Sequence, residues 1–290
     1  YEASTVPFSK KVMVEREELL SVLKDMRENL NSYSFKVVSD LVKELEVNRD
    51  NKAQIKELAD LLKEDKRKNV SSLGNRLEKN LNNLIKEEER VKNMYLFDKS
   101  FGDYKYVAGV DEVGRGPLAG PIVSAAVILD SSDLDDIILY INDSKKLSEH
   151  KREELSEIIK EKALRYSISM CDSKEIDEKG IGYCNNHVFI KACEGLSIKP
   201  DLVLSDGYLI KNFNGENKHV IKGDTKSACI ACASIIAKVY RDNIMKEYHK
   251  KYPQYDFEKN VGYGTKTHVD ALKEVGPTEI HRISFLKNIL

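Results

Sequence analysis

Residues 107–121 read VAGVDEVGRGPLAGP, and no other stretch of the chain concentrates so much potential chemistry. Two adjacent carboxylates, Asp111 and Glu112, close a short apolar run. A loop with Gly114, Arg115 and Gly116 follows at once. Acid suited to a metal therefore stands beside backbone that glycine leaves open to close approach. Asp206 ends a second apolar run, DLVLSD, and Asp224 sits in IKGDT just before a long helical segment. Strand ends and helix starts of an α/β sheet can converge on one edge. Carboxylates gathered there repel one another unless cations bind, and hard Mg2+ or Mn2+ prefers oxygen ligands. Two such ions about 4 Å apart can activate a water and stabilise the leaving oxygen of a phosphodiester. Singly, each acid has an ordinary explanation as a turn or a solvated strand end. Together they suggest a metal-dependent enzyme acting on nucleic acid.

The elements that must position these acids divide near residue 100. Up to there the 290-residue chain holds one proline, Pro7, and one glycine, Gly74. Apolar residues recur at helical spacing through Leu19, Leu20, Leu23, Met26 and Leu30, then Val38, Leu41, Val42 and Leu45. Ile55, Leu58, Leu61 and Leu62 form a third stripe, and Val70, Leu73, Leu77, Leu81, Leu84 and Ile85 a fourth, with Asn69 or Ser71 as its expected N-cap. Residues 1–100 thus read as an all-α extension that packs or docks. The run KEDKRK at 63–68 offers a nucleic-acid grip, but mixed charge of this kind is more often a solvated helix face.

From residue 101 to 290 the period changes. YKYVAGV and PIVSAAVIL read as two strands of a hairpin. A helix capped by Ser148, a strand at YSISMCD, helices at SKEIDEKG and NNHVFIKACEGL, and a strand at DLVLSD follow. The long helix SACIACASIIAKVYRDNIMKEYHKKY and a last helix at 265–275 close the chain. Such alternation predicts an α/β domain around a central sheet.

The formal charge of −1 excludes a polycation that grips nucleic acid by bulk charge, so binding needs a local patch. Lys238, Arg241, Lys246, Lys250 and Lys251 at the end of the long helix are one candidate. No apolar run reaches the roughly 18 residues that cross a bilayer, and no secretory signal is visible. Five irregularly spaced cysteines make a poor disulfide framework and suggest a reducing, cytoplasmic setting. Cys229 and Cys232 form C-x-x-C, but small apolar neighbours mark them as buried helix residues rather than a redox or zinc site.

The motifs VDEVGRGPLAGP, DSKKLS, LSDG, KGD with ASIIAKVYRD, GYGTKTH and GPTEIHRISF follow one another in the order and approximate spacing of bacterial ribonuclease HII. The resemblance covers about residues 104–286 and is specific, because six separate motifs agree. It implies a ribonuclease H-like fold with a central mixed sheet and a helical C-terminal part. It also implies cleavage of the RNA strand of RNA–DNA hybrids and nicking of DNA 5′ to a single embedded ribonucleotide, by a monomer. Asp111, Glu112, Asp206 and Asp224 match the family's four metal-binding acids. Gly114, Arg115 and Gly116 match its sensor of the ribose 2′-hydroxyl, and Tyr263 matches the tyrosine that stacks on the adjoining deoxyribose. Lys145 and Lys222 are expected at phosphates. Asp242 belongs to the same signature but is expected to pair with a neighbouring cation, and His268 and His281 are expected to pack or to move protons. Arg115 and the strand-poor extension resemble type HII rather than the sister type HIII. A catalytically silent hybrid-binding module is the competing reading, and the presence of all four acids disfavours it.

Overall fold

The computed structural model describes residues 8–290, and side chains from residue 15 onward; residues 1–7 of the helical extension lie outside the described residues. Two compact units divide between Arg90 and Val91.

In the first unit, apolar stripes produce helices α1 (Phe8–Asn29), α2 (Phe35–Lys43), α3 (Lys52–Lys63) and the start of α4 (Lys68–Lys99). Leu19, Leu23, Met26, Val38, Ile55, Leu58, Leu62, Val70 and Leu73 form the core. Leu20 and Ile85, expected in the stripes, are exposed instead. The expected N-cap of α4 is corrected too. The helix already begins at Lys68, because Asp65 accepts the Arg67 amide at 2.8 Å. Asn69 and Ser71 fall inside the first turn, where Ser71 donates to the Lys63 carbonyl. The basic run is internally bound: Arg67 pairs with Asp65 and donates to the Leu30 and Tyr33 carbonyls, while Lys63 pairs with Glu78. Arg67 therefore closes the turn after α1, which favours the structural reading of that segment over a nucleic-acid grip.

The second unit opens with the last turns of α4, where Val91, Met94 and Tyr95 are buried in its core. Strands β1 (Val107–Val113) and β2 (Ile122–Ile128) form the predicted hairpin. After α5 (Glu149–Lys162), whose cap Ser148 accepts the Lys151 amide, β3 (Arg165–Cys171) joins the far side of β2. Helices α6 (Ser173–Lys179) and α7 (Ile181–Glu194) lead to β4 (Leu202–Asp206) and β5 (Asn217–Val220). The sheet order is β3-β2-β1-β4-β5, with β1, β4 and β5 parallel and β2 and β3 antiparallel to their neighbours.

A short helix α8 (Gly223–Lys226) precedes α9 (Ala228–Lys251). Strand β2 is buried at every position. Val123, Ala125 and Val127 pack with α9 and α5 on one face, and Ile122, Ala126 and Ile128 with α7 on the other. This period-two division explains why β2 reads as a continuous apolar run. At Gly109 a Cβ would stand 2.3 Å from the Ile230 nitrogen, so only glycine lets α9 lie this close to β1. Asp98, in the last turn of α4, accepts the Ser227 hydroxyl and the Cys229 amide, capping α9 from outside.

Helices α10 (Phe257–Asn260) and α11 (Lys266–Val275) complete the C-terminal block. Its centre is a proton-ordered chain. The Thr278 amide donates to His281 Nδ1 at 2.9 Å, His281 Nε2 meets His268 Nε2 at 2.9 Å, and His268 Nδ1 meets the Tyr263 carbonyl at 2.8 Å. His281 Nδ1 must accept, so its proton lies on Nε2 and is donated to His268, which donates onward from Nδ1. Both rings are neutral in this arrangement, and burial holds both below the ordinary histidine range, His281 at about 4. The pair packs and orients, as expected for one of its two readings.

Two outcomes follow from these packings. A chain beginning at residue 101 loses Val91, Met94 and Tyr95 from the core, a cost of about 5 kcal/mol that a chain beginning at residue 91 avoids. Urea melts of the two chains should separate by that order. The folded state keeps His281 neutral where the unfolded state protonates it, so this contribution is full above about pH 6.5 and falls as pH drops toward 4. The stability advantage of wild type over His281→Gln should narrow by about 2 kcal/mol between pH 7 and pH 5, measured by denaturant melts.

Candidate active site

Strand pairing brings the acids together. β1 and β4 run parallel with Val110 opposite Ser205, so Asp111 and Asp206 occupy the next step on adjacent strands. β5 follows β4, and the turn after it delivers Asp224 in α8. That turn is tight: Lys222 takes a left-handed conformation with φ of 54°, and the Gly223 amide donates to Asp206 Oδ1 at 2.7 Å. One carboxylate oxygen from each of Asp111, Asp206 and Asp224 lies within 4.8 Å of the others. Glu112 stands beside Asp111, outside that three-oxygen cluster but within reach of the field of Asp206.

Electrostatically the cluster is under load. Asp111 is only 5% exposed. Burial first, then the charges of Glu112 and Asp206, hold its carboxyl well above the usual range. Burial likewise raises Glu112 and Asp206, and for Asp206 the Gly223 and Asp224 amides work the other way. Asp224 is raised to about 6 by burial and then by Asp206 and Asp143. Asp143 is a fifth acid that sequence reasoning passed over, although it lies in the same DSKK motif as Lys145. Its proximity to Asp224 was not visible because it arrives on a separate 3-10 turn, Ser144–Lys146, that Arg152 anchors through the Ser144 and Leu147 carbonyls.

The remaining predicted residues surround this cluster. Lys145 is exposed, and its charge acts on both Asp206 and Asp224. Lys222 is exposed directly before Gly223. Gly114 has φ of +88°, and a Cβ there would lie 2.2 Å from Arg241 Nε, so no other residue fits. Arg115 and Gly116 are exposed. The Arg115 side chain reaches Asn185 Oδ1 at 3.3 Å and lies 5.1 Å over the Tyr208 ring. Tyr263 is 45% exposed, and a Cβ on Gly116 would meet its ring at 3.6 Å. The glycine loop and the tyrosine therefore share one surface, beside the acids at the end of β1.

Of the remaining expectations, the basic patch needs correction while those for Asp242 and the C-x-x-C pair hold. The basic end of α9 is not a free patch. Arg241 is fully buried and donates to the carbonyls of Pro121, Val261 and Ala119. Lys246 pairs with Glu149 and Glu153, Lys250 with Glu247, and Lys251 with Glu279. Lys238 pairs with Asp242, which also faces Arg152, so Asp242 plays the pairing role expected of it. Cys229 and Cys232 are buried free thiols, pushed up by desolvation, and form no metal half-site. Arg282, fully buried against the glycine loop, went unnoticed beside His281 because a buried arginine looks like a surface one in sequence.

Comparison with known proteins is consistent with this geometry. The family model described as Ribonuclease HII matches residues 108–288, and that of the Ribonuclease HII N-terminal domain matches residues 38–102. Ribonuclease HII of Clostridium perfringens (strain ATCC 13124) is 98% identical over 270 residues, covering 93% of this chain and 99% of the relative. That of Clostridium beijerinckii is 62% identical over 265 residues, covering 91% and 98%. Among solved structures, ribonuclease H2 from Pyrococcus horikoshii superposes with a TM-score of 0.55 at 28% identity, over 63% of this chain and 96% of that one. Ribonuclease HII of Archaeoglobus fulgidus, solved in a complex with PCNA, gives 0.52 at 28% identity, over 61% and 94%. With its motifs, its sheet and both family models in agreement, this chain is a ribonuclease H enzyme and belongs to the ribonuclease HII family.

Proposed function

We propose that this chain hydrolyses the RNA strand of RNA–DNA hybrids and nicks DNA 5′ to a single embedded ribonucleotide, using two divalent ions. The observation that carries this reading is the desolvated carboxylate cluster set beside a surface shared by Gly116 and Tyr263. The donor set is all oxygen, with no thiol or imidazole in the cluster, so it suits Mg2+ or Mn2+ rather than zinc. Asp111, Asp206 and Asp224 hold the ions, with Glu112 completing the set of four. Bound divalent ions supply charge neutralisation at the phosphodiester and a more acidic water.

The chain's own groups do the rest. The acids act as ligands rather than proton donors. Lys145 and Lys222 contact flanking phosphates and fix register without reading sequence. The Gly114–Arg115–Gly116 backbone meets the 2′-hydroxyl, the group that separates RNA from DNA. Tyr263 packs on the deoxyribose that follows. Cleavage leaves a 3′-hydroxyl and a 5′-phosphate. Five buried free thiols favour a reducing, cytoplasmic setting. The alternative, a silent hybrid-binding module, lacks a supporting feature, because no acid is missing.

A DNA duplex with one ribonucleotide, incubated with the full chain and Mg2+, should be nicked at that position. Tight binding without cleavage would favour the silent module. Asp111→Asn should lower the cleavage rate by about a hundredfold or more. In ion-free buffer the same change should hold or raise the melting temperature, since it relieves repulsion among buried like charges. Protons and ions compete for the raised carboxyls, with Asp224 titrating at about 6. The Mg2+ concentration for half-maximal cleavage should therefore rise by about tenfold between pH 7.5 and pH 5.5.

A further inference from the structure

The glycine loop does not hold its own shape. Arg282 is fully buried and reaches it with three donors. Nη2 donates to the Gly114 carbonyl at 2.6 Å, Nη1 to the Arg115 carbonyl at 2.9 Å and Nε to the Gly120 carbonyl at 2.9 Å. Among the described residues Arg282 forms no ion pair; backbone oxygens take its hydrogen bonds. A buried charge satisfied this way is costly to keep, and its fork geometry matches consecutive carbonyls as a lysine cannot. No peptide bond in the described chain is cis. In a trans peptide the N–H points opposite to the preceding C=O. By pulling the Gly114 and Arg115 carbonyls inward, Arg282 turns the Arg115 and Gly116 amides the other way. Both residues are exposed, and neither amide donates to another described residue.

The loop is further pinned to the C-terminal block. The Leu118 amide donates to Gly262, the Arg282 amide to Leu118 and the Gly120 amide to Ile280. Asp177 accepts the Ile283 and Ser284 amides, fixing the backbone just after Arg282. Arg241 holds the far side of the loop through Ala119 and Pro121. The side chain of Arg282 is thus held in place from several directions.

We propose that Arg282 is the positioning residue for ribose discrimination: it orients two adjacent loop peptides so that their amides face the 2′-hydroxyl. This rests on the reading of the loop as a 2′-hydroxyl sensor. Arg282 touches neither substrate nor ion, so it governs the preference for RNA over DNA rather than the chemical step.

The test measures affinity by fluorescence anisotropy, with Mg2+, in the full chain carrying Asp111→Asn to suppress cleavage. The probes are a DNA duplex with one ribonucleotide and the same duplex in all-DNA form. Arg282→Lys keeps the charge but replaces the fork of separate nitrogens with a single point of donation, and Arg282→Gln keeps two donors without charge. Each should reduce the ribonucleotide preference by about tenfold or more while leaving all-DNA affinity within about twofold. Gly116→Ala, which places a methyl against Tyr263, should reduce the preference too. If Gly116→Ala loses the preference and both Arg282 variants retain it, the positioning role is overturned and the sensor reading stands. If all three retain it, the sensor reading falls as well. Loss of cooperative melting in both Arg282 variants would also overturn the proposal, because the arginine would then serve stability alone.

Discussion

Like charge forced into a small volume is the constraint on which the catalytic unit depends. Parallel pairing of β1 with β4 leaves Asp111 and Asp206 no alternative to adjacency, and the turn after β5 adds Asp224. Burial strengthens every repulsion there, because little water remains to screen it. Backbone amides, chiefly that of Gly223, and the nearby charges of Lys145 and Arg115 offset part of the load in the protein alone. The surrounding structure is correspondingly rigid. Strand β2 is buried throughout, α9 presses against β1 at Gly109, and Asp98 caps the start of α9. A looser frame would let the carboxylates drift apart and relax.

A second layer supports the glycine loop. Burial lowers both Arg241 and Arg282, and the charge of Arg241 lowers Arg282 further, to about 9. Five of their donors converge on carbonyls of the 114–121 loop, and a sixth, from Arg241, ties Val261 to it. Backbone oxygens, unlike carboxylates, cannot be neutralised by protonation, so this framework is insensitive to ordinary changes in pH. The histidine chain that holds the Tyr263 carbonyl behaves oppositely, since each ring must remain neutral to keep its place. The two walls of the proposed ribose site therefore respond differently to acid.

Much of this was legible in the sequence, for identifiable reasons. Short β-branched runs separated by glycine announced the β1–β2 hairpin, and helical spacing announced α1 to α4. Asp111 and Asp206 were recognisable because each ends a short apolar run, and Asp224 because it sits just before the long helix. Asp143 was not, because it lies on a 3-10 turn whose approach to Asp224 depends on Arg152 anchoring a loop. Arg241 was read as a surface cation and Arg282 was passed over, because side-chain type carries no record of burial. The division inside α4 was also missed, because no proline or glycine interrupts the helix there, although five charged residues at 86–90 separate its two apolar stretches.

The five cysteines have a practical consequence. All are buried, and desolvation raises every thiol, Cys193 to about 12. Thiolate is the reactive species, so alkylating dyes find almost none in the folded chain. A single cysteine placed at an exposed site such as Tyr183 would take a fluorophore selectively, with all five native residues left in place. The protein thus comes ready for single-molecule observation on duplex, without the cysteine-free background that such labelling usually requires.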